Sequence, residues 1–330
     1  MADSFGRVAT DLRVSVTDKC NLRCTYCMPP EGLDWIPNDE LLTADEIVRL
    51  VRIAVDQGVQ EVRFTGGEPL VRRDLEQIVA GVAGLPDPPS LSLTTNGIGL
   101  DARAASLKEA GLTRINVSLD TLVRQRFITL TRRDRLDAVL AGIRAAQEAG
   151  LRPVKVNTVL MRDVNDDEAV DLVTWALDQG LMLRFIEQMP LDAQHAWSRT
   201  EMIAADEILA RLRAHFTLRP AAVPRGSEPA ETWEVLDDAG QPRGTVGVIG
   251  SVTRPFCAAC DRVRLTSDGQ LRNCLFASTE TDLRGPMRSG ADDAVLVGLM
   301  QSCLAAKKAG HGIDEPTFLP PLRPMSAIGG

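Results

Sequence analysis

Six short apolar runs, each followed by a stretch of helical periodicity, set the rhythm of the first two-thirds of the chain. The runs span residues 12–16, 61–65, 91–95, 114–119, 154–160 and 182–187. Each is rich in apolar and β-branched residues and has the length of a single sheet-crossing strand. Between the first two, Thr43-Ala-Asp-Glu46 forms a capping box that opens a helix with Ile47, Leu50, Val51 and Ala54 on one face. Further helices are predicted over 74–83, 102–110, 135–149, 167–179 and 205–215. Gly58, Gly111, Gly150 and Gly180 fall where helices should stop in left-handed caps. Strand-then-helix repetition predicts parallel strands with the helices outside. Six units fall short of an eight-fold closure, so the predicted fold is α/β, a partial (β/α)6 barrel of the TIM type.

Past residue 216 the rhythm breaks. Pro220, Pro224, Gly226 and Pro229 mark a loop, after which 231–236 and 245–249 read as paired strands and 292–308 as a helix. This divides the chain into a partial barrel over 1–215 and a C-terminal extension over 216–330 that ends in Gly329-Gly330. At 330 residues the chain is too long for one simple core, which fits a large barrel or two units. No apolar stretch approaches the ~18–20 residues of a membrane span. The first twenty residues carry Asp3, Arg7, Asp11 and Arg13 and no apolar run, which argues against a secretory leader. A net charge of −8 argues against a broad nucleic-acid surface, so any polyanion must be met by a local cluster of Arg and Lys. With three histidines and one tyrosine, conventional acid–base chemistry is thinly supplied.

Parallel barrels place their chemistry at the carboxyl ends of the strands, and the unusual residues fall there. Residues 17–27 follow the first strand, and Gly66-Gly67-Glu68-Pro69 the second. Thr94-Thr95-Asn96-Gly97 ends the third, Ser118-Leu119-Asp120 the fourth and Glu187-Gln188-Met189-Pro190 the sixth. The cysteines are not spread like a disulfide framework. Cys20, Cys24 and Cys27 form one trio, Cys257, Cys260 and Cys274 a second, and Cys303 stands apart in a helical apolar run. Two trios and one odd thiol predict metal chemistry in a reducing compartment, hence a cytoplasmic protein. In a cubic iron–sulfur cluster thiolates normally ligate all four irons, so a trio leaves one iron open to a small-molecule chelator. Structural zinc wants four ligands, and no histidine lies near the first trio. For the second trio, zinc completed by Cys303 or His311 stays open as an alternative.

The two arginines of Arg262-Val263-Arg264 alternate, which puts both on one face of a strand. Arg13, Arg63, Lys155 and Arg184 alternate likewise against apolar neighbours. A barrel interior with so many cations calls for an anion, and arginine forks suit a triphosphate. No GxxxxGK[ST] loop is present to hold it.

The spacing Cys20-x3-Cys24-x2-Cys27, with Tyr26 before the last cysteine, resembles the radical S-adenosylmethionine superfamily. Gly66-Gly67-Glu68-Pro69 resembles its glycine-rich segment that receives the amino group of S-adenosylmethionine (SAM). The resemblance implies that a cluster electron cleaves SAM to methionine and a 5′-deoxyadenosyl radical, which takes a hydrogen atom from the substrate. The paired trios, Arg262-Val-Arg264 between them and the Gly-Gly tail together resemble the GTP 3′,8-cyclases of molybdenum cofactor biosynthesis, over essentially the whole chain. That resemblance implies two [4Fe–4S] clusters, on Cys20, Cys24 and Cys27 and on Cys257, Cys260 and Cys274. It implies SAM contacts at Tyr26, Gly67, Ser118 and Met189. GTP contacts are implied at Arg13, Arg63, Thr94, Lys155, Arg184, Arg262, Val263 and Arg264, with Gly329 and Gly330 reaching into the active site. It further implies a reducing electron donor, a downstream cyclic pyranopterin monophosphate synthase and homodimers. A radical SAM enzyme that modifies a peptide, and a zinc-stabilised binding module without catalysis, are the alternatives.

Overall fold

One sheet runs through the whole molecule in the computed structural model, which describes residues 1–223, 225–315 and 318–329. Its central strands are β1 (Asp11–Ser15), β2 (Glu61–Thr65), β3 (Ser90–Thr95), β4 (Arg114–Ser118), β5 (Val154–Val159) and β6 (Met182–Ile186), all parallel and in chain order. Helices α1 (Ala44–Asp56), α2 (Leu75–Ala83), α3 (Leu100–Glu109), α4 (Arg124–Thr131), α5 (Leu136–Glu148), α6 (Ala169–Asp178) and α7 (Ala205–Arg213) connect them. The capping box at Thr43 forms as expected, with Thr43 Oγ1 accepting from Glu46 N and Glu46 Oε2 from Thr43 N. The four glycines expected at helix ends all have positive φ.

The C-terminal region contributes to the same sheet. After β7 (Thr217–Pro220) and β8 (Glu231–Leu236), β9 (Pro242–Ile249) pairs parallel with β6. On the other edge β10 (Arg262–Leu265) pairs parallel with β1, followed by β11 (Gln270–Arg272) and β12 (Thr281–Asp282). Eight parallel strands therefore stand side by side, in the order β10-β1-β2-β3-β4-β5-β6-β9. Among the described residues no ladder joins β9 to β10, so the sheet stays open as expected, although two C-terminal strands bring its parallel strands to eight rather than six. The expected hairpin of β8 and β9 is present, but β9 begins at Pro242 and also extends the barrel. Helices α8 (Arg284–Arg288), α9 (Asp293–Ala305) and α10 (Met325–Ile328) complete the chain.

Alternation along each strand sorts side chains between two environments. Leu12, Val14, Val62, Leu93, Ile115, Val117, Val156 and Leu183 turn outward into one continuous core beneath the helices. Arg13, Arg63, Asn116, Asn157 and Arg184 turn the other way. The sheet thus has an apolar outer face and a polar inner one, and the inner face carries the site.

Candidate active site

The first cysteine trio lies on the loop after β1, locked to the loop after β2. Gly67 N donates to Thr17 O at 2.8 Å and Glu68 N to Lys19 O at 2.8 Å. The contact is so close that a Cβ on Gly66 would overlap Thr17 O, and one on Gly67 the carbonyls of Asp18 and Lys19. Only glycine lets the two backbones meet here. Glu68 is fully buried and accepts from Leu70 N, Thr95 Oγ1 and Asn96 N at 2.6–2.9 Å, tying β2 to β3. Burial raises its pKa to about 7. Arg23 Nη1 donates to Cys20 O at 2.7 Å, and Arg132 Nη1 to Arg23 O and Met28 O at 2.8 and 3.0 Å. These bonds fix a loop with no regular structure of its own.

The three thiols are partly exposed and unpaired. Burial pushes Cys20 up to about 11 and Cys27 to about 12, so a bound cation is needed to hold them as thiolates. Tyr26 donates its hydroxyl to Asp120 Oδ2 at 2.7 Å. Burial lifts Asp120 to about 6, against a hydrogen bond from Val159 N to its other oxygen.

The second trio and Cys27 of the first line one cavity of about 280 Å³. Cys257, Cys260 and Cys274 line it together with Tyr26, Cys27, Ser118 and Met189. Among the described residues no group of three or more His, Cys, Asp or Glu side chains is gathered tightly enough for a single metal ion. A donor set of three soft thiols around a roomy cavity fits an iron–sulfur cage rather than tetrahedral zinc. The alternative fourth ligands are engaged elsewhere. His311 accepts from Ile313 N at Nδ1 and faces Ser251 O with Nε2, while Cys303 is buried in α9 with its sulfur on Leu271 O. Cys303 is the small core residue its helical surroundings predicted.

Between the trios the cavity wall is cationic. The register places Arg264 beside Arg13 and Arg13 beside Arg63 on adjacent strands β10, β1 and β2. Directly opposed like charges are destabilising without a counterion. Arg13, Arg184, Arg262 and Arg264 are all at least nine-tenths buried. Burial lowers Arg184 to about 9 and Arg264 to about 10, and holds Arg13 well below its ordinary value with help from Arg63. Arg13 Nε and two nitrogens of Arg262 have no partner. Asp11 and Asp261 lie 3.7 and 3.9 Å from Arg13 and Arg262, too distant for good hydrogen bonds. Lys155 is lowered to about 8 by burial and by the neighbouring Arg184.

The tail reaches the same place. In α10, Met325 lines the cavity. The Gly329 carbonyl accepts a hydrogen bond from Arg264 Nη1, and a Cβ there would overlap Thr65 Oγ1 at the end of β2. Gly330 lies outside the described residues. Of the other expected contacts, Arg13, Arg63, Thr94, Arg184, Arg262 and Arg264 line the cavity. Lys155 and Val263 do not: Lys155 is half-buried on β5 outside the lining, and the side chain of Val263 is 1% exposed in the outer core, because alternation turns it away from its arginine neighbours. Gly67 acts through its backbone fit against the first loop.

Several residues escaped the sequence reading. Asn157 Oδ1 and Asn116 Oδ1 accept from Arg184 at 3.0 and 2.9 Å and aim it inward. Gly247 opposes Arg184, and a Cβ there would press on its Cγ at 2.9 Å. Phe256 stacks under Arg262 at 4.2 Å and under Arg225 at 4.7 Å. Strand alternation could have flagged the two asparagines, but nothing local marks Phe256.

Residues 14–176 match the model of the radical SAM superfamily, and residues 181–313 that of the molybdenum cofactor synthesis C-terminal family. Over its full length the chain is 60% identical to a GTP 3′,8-cyclase of Mycobacterium sp. (strain KMS), covering 93% of that protein. It is 61% identical to the GTP 3′,8-cyclase of Streptomyces coelicolor, covering 96%. The chain belongs to the GTP 3′,8-cyclase family. As a member of that family it is a radical SAM enzyme, with SAM and [4Fe–4S] clusters as its cofactors. Streptococcus suis SuiB, crystallised with its precursor peptide SuiA, shares the fold at a TM-score of 0.61 and 14% identity, over 98% of this chain and 76% of that one. No helix among the described residues is long and apolar enough to cross a membrane.

Proposed function

We propose that this GTP 3′,8-cyclase family member acts on GTP in the arginine-walled cavity, taking hydrogen from ribose C3′ and joining that carbon to guanine C8. The product is (8S)-3′,8-cyclo-7,8-dihydroguanosine 5′-triphosphate, the first committed compound of molybdenum cofactor biosynthesis. The row Arg264, Arg13 and Arg63, side by side on three strands, carries this reading. Buried guanidiniums in adjacent register need a polyanion between them, and a triphosphate of roughly four negative charges supplies one.

Cys20, Cys24 and Cys27 hold one cluster, with SAM against Tyr26, Gly67, Ser118 and Met189. Cys257, Cys260 and Cys274 hold the other at the guanine end. When bound, cluster and SAM supply one-electron chemistry able to remove a hydrogen atom from carbon. The chain's own residues decide which carbon is offered. Arg13, Arg63, Thr94, Lys155, Arg184, Arg262 and Arg264 grip the triphosphate and fix the ribose along the axis between the trios. Asn116 and Asn157 hold Arg184 in its inward rotamer. Met325 and the apolar walls at Ile186, Leu191, Ile249 and Phe256 keep water from the reacting carbon, and Gly329 closes the site. In this division residues 1–215 form the radical-generating unit and residues 216–330 the substrate end. The product passes to a cyclic pyranopterin monophosphate synthase, and a reducing donor supplies the electron.

The test is anaerobic reconstitution followed by SAM and reductant, with or without GTP. 5′-Deoxyadenosine should form faster with GTP present, together with the cyclised nucleotide. Formation indifferent to GTP would overturn the substrate assignment.

A further inference from the structure

Lys307, just beyond α9, is a buried cation with an unusual set of partners. It is 5% exposed, and no carboxylate pairs with it among the described residues. Its ammonium donates to Cys260 O at 3.0 Å and Arg262 O at 2.8 Å, and lies 3.6 Å from Cys260 Sγ. Two carbonyls satisfy its donors but do not neutralise it, and a buried unpaired ammonium is costly. Cys260 Sγ is the one group it touches that can become an anion. Arg7 closes the other end of the same turn differently, pairing with Asp3 and donating to the carbonyls of Cys257, Lys308 and Ala309 at 2.6–3.0 Å, with no hydrogen bond to a sulfur.

We propose that Lys307 is a positioning residue of the second cluster, whose ammonium bonds the Cys260 thiolate and offsets the negative charge that three thiolates bring to a cavity meant for a polyanion. The inference rests on the reading that the second trio holds a cluster. A fixed donor and positive charge at a ligand sulfur stabilise the more negative, reduced form of a cage, so they raise its reduction potential. Loss of Lys307 therefore shifts the potential of this cluster downward, and leaves the first cluster where it was. Arg7, whose charge is already paired with Asp3 and which hydrogen-bonds no ligand sulfur, should leave it near the parental value.

The experiment compares the full-length, reconstituted enzyme with Lys307→Met, Lys307→Arg and Arg7→Gln. Iron is counted per chain, and each cluster is titrated by anaerobic redox potentiometry with electron paramagnetic resonance, the second recognised by its response to added GTP. The expected result is a more negative midpoint for the GTP-responsive signal in Lys307→Met, a parental midpoint in Lys307→Arg and Arg7→Gln, and an unmoved first cluster. GTP binding should weaken in Lys307→Met and recover in Lys307→Arg. An unshifted midpoint in Lys307→Met, or an equal shift in Arg7→Gln, overturns the proposal. If Lys307→Met assembles no second cluster, Lys307→Arg decides: a cluster at the parental midpoint supports the role, and a missing or shifted one overturns it. Parental enzyme holding about four irons instead of about eight would sink the two-cluster reading itself, and the proposal with it.

Discussion

In the proposed function Lys155 and Gly67 would serve the site in two ways, one through charge and one through the absence of a side chain. Lys155 is lowered to about 8 by burial and by Arg184, so it loses its proton as pH rises through about 8. Only the protonated form attracts a triphosphate. The value of kcat/KM for GTP, which reports the free enzyme, should therefore hold below about pH 8 and fall as pH rises through that value. Lys155→Arg should remove this fall in a pH–rate profile, and a profile unchanged by it would refute the role. Lys155→Ala should raise KM for GTP about ten- to hundredfold, the worth of one charge-assisted hydrogen bond, and by less at high salt, where the attraction it removes is already screened. Gly67 acts by exclusion. Gly67→Ala drives a methyl into the carbonyls of Asp18 and Lys19, which displaces the loop bearing Cys20. Iron should drop from about eight to about four per chain while circular dichroism stays native. Full iron in this variant would show that the loop can yield.

At the scale of elements, the tail and the two added strands show where sequence reading succeeds and where it stops. The six β/α units were legible because alternation and helical periodicity are local patterns. Helix α4 was not, since Phe127 and Leu130 are nearly all the apolar surface it buries among polar neighbours. The parallel pairing of β9 with β6 and of β10 with β1 was hidden for another reason. Partners so distant in sequence leave no local mark, and β9 reads equally well as half of a hairpin. For the same reason the inward arginines were visible strand by strand, but the Arg264–Arg13–Arg63 row appears only once β10 is placed. Lys307 was hidden inside a predicted helix, where a lysine reads as surface.

The tail gives a prediction of its own. Arg323 pairs with Asp268 and Glu280 at 2.8–3.0 Å, and from that anchor α10 carries Gly329 to Arg264 and Thr65. Gly329 has φ +85 and no room for a Cβ. Gly329→Ala should therefore abolish most GTP turnover while sparing SAM binding. Thr65→Ala in the same chain removes the obstructing hydroxyl but not the strain of a positive φ, which costs alanine about 1 kcal/mol. The double variant should recover turnover in part, and a double-mutant cycle would read that coupling. Strict additivity would mean the tail is not seated against β2.

One sheet runs through the whole molecule, and one cavity brings Cys27 of the first trio, all of the second trio and a cationic wall together. That arrangement separates two tasks which mutation can separate in turn. The first trio is held by β1, β2 and α4 and, among the described residues, makes no hydrogen bond to the second, so removing the far trio should leave it intact. Cys274 lines the cavity on the GTP side and lies on the strand-end loop after β11, outside the eight parallel strands. In Cys274→Ser the fold and the first cluster should persist, SAM should bind as in the parent, and slow 5′-deoxyadenosine release should continue. That release should no longer quicken when GTP is added, and no cyclised nucleotide should form. Equilibrium binding of SAM and of GTP, measured on one anaerobic preparation, separates the outcomes. Parental GTP turnover in this variant would remove the second trio from the substrate site, and loss of SAM binding would show that the two ends of the cavity fold as one unit.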